Sequence, residues 1–278
     1  MSGTKRHTLS VRGASYQVWE RGSGRTLVFI HGFSGAARDF LPFFRTLSTS
    51  WRCLAIDLPG HGNTVVGNDR GRYSMRSTAQ DLKEITERLG AHHPVLVGYS
   101  LGGRVALSCA CLYPAWPSAL ILESASPGLA TEKEREQRRA ADEGLATRLE
   151  QAGISEFMKY WERIPLFSTQ SRLTAQALRR QSRVRMSQQA DELAASLRSA
   201  GTGAQPSWWD EIAGLSMPTL LLTGQQDDKF TRIAYEMRQR MPFAEHVVVK
   251  DAGHNVHLEQ PGVWVREIQA FMNREFQM

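Results

Sequence analysis

With 278 residues, 41% of them apolar, the chain is long enough for one large α/β domain carrying an insertion and can bury a real core. Its formal charge is +6, with lysines and arginines spread along the whole chain; without a basic stripe or a known module, nucleic acid is not an expected partner, and some surplus arginines are free to steer a small anionic substrate. Three irregularly spaced cysteines (Cys53, Cys109 and Cys111) argue against a disulfide framework, no Cys/His cluster has zinc spacing, and no apolar run approaches the ~20 residues that span a bilayer.

Residues 1–10 are polar and lack the apolar core of a signal peptide, so a cytoplasmic protein without a membrane partner is expected. Residues 8–11 and 16–20 alternate around Gly13, which predicts a hairpin. Residues 26–30 form a continuous apolar strand ending at His31-Gly32-Phe33, and residues 52–56 form another ending in the run Asp57 to Gly62. An amphipathic helix is predicted over 75–89, a strand over 95–97, a helix over 103–113 and a strand over 119–122. Beyond the middle of the chain, 219–223 and 246–250 read as strands and 263–276 as a closing helix. Short buried strands alternating with helices predict a mostly parallel central sheet flanked by helices on both faces. From about residue 127 to 209 no strand-like run occurs, and Ala, Gln, Arg and Glu recur with helical periodicity. The expected division is a core over 1–126, an inserted helical cap over 127–210, and the rest of the core over 211–278.

Gly98-Tyr99-Ser100-Leu101-Gly102 stands between a predicted strand and a predicted helix, the layout of a nucleophile elbow. A serine hydroxyl needs a histidine to take its proton and an acid to orient that histidine. The order Ser100, Asp227, His254 supplies them, with the last two in loops just past strands. All three therefore fall at the carboxyl edge of the sheet, where open α/β sheets place their sites. Asp228 and Glu123 compete for the acid. His257 competes with His254 but reads as a surface residue. His31 and His61 lie at the same edge, and His31 is expected on the substrate side, holding the loop of the oxyanion hole. That hole would be made by the backbone N–H groups of Phe33 and Leu101.

His31-Gly32, the Asp57-to-Gly62 run, Gly98 to Gly102, Gly224-Gln225-Gln226-Asp227 and Gly253-His254 resemble the α/β-hydrolase superfamily over the whole chain. Further features narrow this: Gly103-Arg104, Ser126-Pro127-Gly128-Leu129 before an Arg/Glu helix, Tyr160-Trp161, Pro165-Leu166-Phe167, Gly201-Thr202-Gly203 and Asp227-x-Lys229-Phe230. Together they resemble the 2-succinyl-6-hydroxy-2,4-cyclohexadiene-1-carboxylate synthases of menaquinone biosynthesis. Gln225 departs from the Glu often found there.

The resemblance implies an α/β-hydrolase fold and an elimination rather than a hydrolysis. A proton α to the succinyl ketone is removed, pyruvate leaves, and the serine acts as base without cofactor or metal. The implied substrate carries several carboxylates. Arg104, one helical turn after Ser100, sits where a cation opposes the helix dipole and so wants an anionic partner. A structural salt bridge is the other reading. Arg138 and Arg185 match family arginines, with Arg135, Arg139, Arg180 and Arg183 as competitors, and Tyr99 and Trp161 match positions lining the family's pocket. A monomer is expected. A serine hydrolase on the same fold, or a non-catalytic ligand receptor, remain open; the arginines separate the first reading from these.

Overall fold

The computed structural model describes residues 3–276; Met1 and Ser2 of the polar amino-terminal stretch lie outside the described residues. Eight strands form one sheet: β1 (Lys5–Val11), β2 (Ala14–Arg21), β3 (Thr26–Ile30), β4 (Arg52–Ile56), β5 (Val95–Tyr99), β6 (Ala119–Glu123), β7 (Thr219–Gly224) and β8 (Ala244–Val249). Their order is β1-β2-β4-β3-β5-β6-β7-β8. β1 and β2 pair antiparallel, β2 meets β4 antiparallel, and every pairing from β4 to β8 is parallel.

The helices in chain order are α1 (Leu41–Leu47), α2 (Met75–Arg88), α3 (Leu101–Leu112), α4 (Glu132–Trp161), α5 (Ala175–Met186), α6 (Ala190–Ala200), α7 (Asp228–Arg240), α8 (Val256–Glu259) and α9 (Pro261–Phe276). The pleat explains how they are held. Val28, Ile30, Leu96, Leu120 and Leu122 face one apolar layer, shared with α2 and α3. Their neighbours Leu27, Phe29, Val95, Val97, Ala119 and Ile121 face the other, shared with α1 and α9. Because both faces are covered, β3, β5 and β6 are buried at every residue, and their sequences are apolar runs with polar residues only at the ends, Thr26 and Glu123. Phe29 shows the packing: its ring lies 5.3 Å from Phe40, 5.7 Å from Phe44 and 6.3 Å from Trp264.

Between β6 and β7 the chain leaves the sheet. Thr131 and Glu134 close a capping box at the start of α4, which bends at Gly153 (φ 74°). α4 packs on α6 through Ala146, Leu149, Phe157 and Met158 against Leu193, Ala194 and Leu197. A 3₁₀ segment, Pro165–Arg172, and α5 complete this layer, which roofs the carboxyl edge of the sheet.

Candidate active site

The site starts from the elbow. Ser100 sits between β5 and α3 with φ 50° and ψ −108°, a left-handed conformation that costs a non-glycine residue about 1–3 kcal/mol. The positions two residues before and after it must be glycine for steric reasons. A Cβ on Gly102 would collide with the Ile30 carbonyl, and one on Gly98 with the Gly102 carbonyl. This close approach is why α3 begins at Leu101, two residues before the periodicity predicts. The Ser100 N–H donates to the Glu123 carbonyl at 2.8 Å, fixing the turn to β6.

Ser100 Oγ lies 3.0 Å from His254 Nε2, and His254 Nδ1 lies 2.6 Å from Asp227 Oδ2. With the carboxylate accepting from Nδ1–H, Nε2 is left to accept the serine proton. Asp227 also caps α7, its Oδ1 accepting the Phe230 N–H at 3.3 Å. His254 and Asp227 are almost wholly buried, at 1% and 6% exposure. Asp228 is exposed and begins α7. The sequence order Ser, Asp, His is thus brought into one hydrogen-bonded chain.

Ser100 and His254 open into a cavity of about 290 Å³. Phe33 and Leu101 line it beside Ser100, and among the described residues neither N–H has a hydrogen-bond partner. An oxyanion hole is built from free amides of this kind, set around the position where negative charge develops. Tyr99 and Trp161 also line the cavity. Trp161 stacks on Phe157 (5.7 Å, 19°) and meets Phe33 edge-on at 5.3 Å. Burial raises the Tyr99 hydroxyl pKa well above its ordinary value, with the Glu123 charge adding to it, so Tyr99 enters the site neutral.

Arg104 and Arg138 line the same cavity. Arg104 donates to the Ala200 carbonyl at 2.9 Å and to Gln205 Oε1 at 2.8 Å. Among the described residues no carboxylate pairs with it. Burial, and then the nearby Arg138 charge, push its pKa down to about 10, with Asp142 partly opposing. The structural-salt-bridge alternative for Arg104 is therefore not what the structure contains. Arg138 pairs with Asp142 at 2.7 Å. Its competitors point elsewhere: Arg135 and Arg139 both pair with the exposed Glu132.

Three expectations change. His31 does not reach the cavity: it is buried, its Nε2 accepts the Leu58 N–H at 3.0 Å, and its Nδ1 bonds the Gly32 carbonyl at 2.8 Å. It ties the Phe33 loop to the loop after β4. Arg185 lines a smaller adjoining space, reached past Phe33, Tyr99 and Phe167, rather than the cavity of Ser100. Its guanidinium is buried, 5.2 Å over the Phe167 ring, with Glu162 at 3.3 Å. His257 is not a surface residue. It is 4% exposed and holds Glu123, 2.8 Å away, which also removes Glu123 as a partner for His254.

Sequence reasoning missed Gln205, which holds Arg104, and Phe230, whose ring lies 4.5 Å from the His254 ring and walls the cavity with Lys229. The run Asp227-x-Lys229-Phe230, which carries the family resemblance without a role in the site, was the available signal; Gln205 offers none.

A sequence profile of the alpha/beta hydrolase fold matches residues 25–261. A Bacillus subtilis (strain 168) protein named as a candidate 2-succinyl-6-hydroxy-2,4-cyclohexadiene-1-carboxylate synthase is 38% identical over 272 residues, 97% of this chain and 98% of that protein. A Salmonella heidelberg protein named as the same synthase is 34% identical over 85% of this chain and 89% of its own length. Among solved structures, MenH from S. aureus superposes with a TM-score of 0.89 at 33% identity, covering 94% of this chain and 98% of the other. A thermophilic esterase from Thermogutta terrifontis superposes at 0.83 with 25% identity, over 98% and 99%.

Proposed function

The chain belongs to the alpha/beta hydrolase fold family and, within it, to the 2-succinyl-6-hydroxy-2,4-cyclohexadiene-1-carboxylate synthases, and we propose that it is the lyase those names describe. It eliminates pyruvate from 2-succinyl-5-enolpyruvyl-6-hydroxy-3-cyclohexene-1-carboxylate, giving 2-succinyl-6-hydroxy-2,4-cyclohexadiene-1-carboxylate in menaquinone biosynthesis. The observation that carries this reading is Arg104: a cation on the helix of Ser100, inside the cavity, held by neutral partners alone. Such a site awaits an anion, and an apolar ester does not supply one.

In this reading Ser100 Oγ takes the proton α to the succinyl ketone while passing its own to His254 Nε2. Asp227 stabilises the imidazolium. The enolate oxygen rests on the Phe33 and Leu101 N–H groups. The electron pair then moves through the ring, the bond from carbon to the enolpyruvyl oxygen breaks, and the imidazolium returns a proton to the departing pyruvate enolate. Positioned general-base catalysis of this kind is worth about 10²–10⁴-fold, and an oxyanion-hole donor about 2.7–4 kcal/mol. Arg104 and Arg138 hold substrate carboxylates, and Arg185 reaches a further one from the adjoining space. Guanidinium suits this because it grips carboxylates in bidentate fashion and stays charged. Residues 127–210 act as the cap that brings Arg138, Trp161 and Arg185 over the triad carried by 1–126 and 211–278.

We place this activity in the cytoplasm, in a monomer whose partner is the small polycarboxylate alone. Among the described residues no helix is long and apolar enough to cross a membrane. The test is intact-mass spectrometry during steady-state turnover. The elimination predicts unmodified enzyme throughout, together with slow turnover of simple esters. An acyl adduct on Ser100 with fast ester cleavage would replace the lyase by a hydrolase.

A further inference from the structure

Glu123, the last residue of β6, holds both halves of the site without belonging to the triad. Its carbonyl accepts the Ser100 N–H at 2.8 Å. Its carboxylate accepts the His257 backbone N–H at 3.1 Å and lies 2.8 and 3.0 Å from His257 Nδ1. His257 follows His254 by three residues, in α8. Glu123 and His257 are 1% and 4% exposed.

The loop that carries His254 has an internal brace. Glu259 accepts the Gly253 N–H at 2.8 Å and the Asn255 N–H at 3.3 Å, and Asn255 caps Leu258 at 2.9 Å. These bonds shape the loop but tie it only to itself. Asp227, and the Gln226 N–H donating to the Ala252 carbonyl at 2.9 Å, tie it to the loop after β7. The Glu123 carboxylate ties it to β6, the strand whose carbonyl fixes the elbow. The Tyr99 ring fills the space between, with centroids 5.5 Å from His254 and 4.9 Å from His257. A buried carboxylate–imidazole pair adds little net stability, since the desolvation of two polar groups offsets their attraction. What it does supply is a fixed distance between two loops.

We infer that Glu123 and His257 form a positioning pair that sets the reach from Ser100 Oγ to His254 Nε2. This rests on the reading that those two atoms exchange the proton. A misplacement on the order of 1 Å at such a contact costs on the order of 100-fold in rate. Loss of the Glu123 carboxylate therefore lowers kcat with little change in KM, because Glu123 lines neither the cavity nor the adjoining space and the carboxylate-binding arginines stand on other elements, whereas His257 itself lines the space that Arg185 enters.

The experiment measures kcat and KM for pyruvate release, with thermal melting, for wild type, Ser100→Ala and three variants. Glu123→Ala is expected to lower kcat at least about 30-fold with KM within about twofold. Glu123→Gln retains an acceptor for the His257 N–H and offers a donor to Nδ1, and is expected to bring kcat back to within about threefold of wild type. Glu123→Met/His257→Phe removes both side-chain polar groups together, so no buried charge is stranded, and only the backbone N–H of position 257 gives up its acceptor, which the melt reads. The Phe40, Phe43 and Trp264 rings surround position 257, so the substitution keeps an aromatic ring among aromatic neighbours. Its kcat is expected to be as low as that of Glu123→Ala, with native-like melting. Wild-type kcat in a folded Glu123→Ala or in the double variant overturns the inference, as does a Gln variant no better than Ala. If wild type itself releases no pyruvate, the reading of function fails instead; active wild type, inactive Ser100→Ala and fully active Glu123 variants refute the positioning pair alone.

Discussion

Arg104→Gln separates a polycarboxylate site from a bare serine triad. In the protein the guanidinium is held by the Ala200 carbonyl and Gln205 Oε1, and burial with Arg138 nearby holds its pKa down to about 10. Set against an ordinary arginine, that amounts to about 3 kcal/mol of unfavourable charge burial at neutral pH. A substrate carboxylate relieves this cost on binding, which is the physical reason to expect a strong contact. Removing one partner of such a pair costs about 2–5 kcal/mol of transition-state stabilisation, so kcat/KM falls between roughly 30-fold and several thousand-fold. Stability moves little. The variant sheds the buried charge but leaves the Ala200 carbonyl without its donor, worth about 1–3 kcal/mol in the opposite direction. Pyruvate release below KM, read with a thermal melt, checks both. A kcat/KM within threefold of wild type in a folded variant would refute the assignment of Arg104 to the substrate.

Ser100→Ala is expected to keep the fold and lose at least about 10⁴-fold in turnover, since members of such a triad act as a unit. Ser100→Gly, equally inactive, should raise unfolding free energy by about 1 kcal/mol because it relieves the positive φ; calorimetry that shows no gain contradicts the strain. Gly102→Ala drives a Cβ into the Ile30 carbonyl and should cost at least about 3 kcal/mol in urea unfolding; native stability would show that the elbow can relax. His31 and His61 are pushed down to about 4 and about 3, both by burial first, with the His31 charge adding to the effect on His61. Both are neutral when folded and bind protons more readily when unfolded. The stability this gives is complete above about pH 6.5 and drains away as pH falls toward 4 and then 3, by about 3 kcal/mol or more. Urea titrations across pH 4–7 test it, and a flat profile would speak against buried neutral imidazoles.

The sheet was legible wherever both faces of a strand are buried. Residues 26–30 and 52–56 match β3 and β4 residue for residue, because a strand covered on both sides is apolar along its interior, with a polar residue only at its first position, Thr26 and Arg52. α7 escaped because its first and last turns are charged and its sequence, with buried positions only at Ala234 and Met237, has a narrow apolar stripe. The triad was readable because motif order and loop position are properties of the chain. Orientation is not such a property. His31 and His257 share the sheet edge with His254, yet backbone partners turn His31 into the fold, and Glu123 turns His257 inward. The arginines were readable by residue type and spacing, whereas the cavity each one enters depends on how α4 and α5 lie over the sheet, which no local pattern encodes.

We propose that one cavity joins a Ser100–His254–Asp227 proton relay to arginines that hold a polycarboxylate, and that it eliminates pyruvate. The direct measurement is pyruvate formed from 2-succinyl-5-enolpyruvyl-6-hydroxy-3-cyclohexene-1-carboxylate by the purified protein and by Ser100→Ala. Release far above the spontaneous rate is expected from the first and a return to that rate from the second. Release at the spontaneous rate by the wild-type protein, or undiminished release by Ser100→Ala, would contradict it.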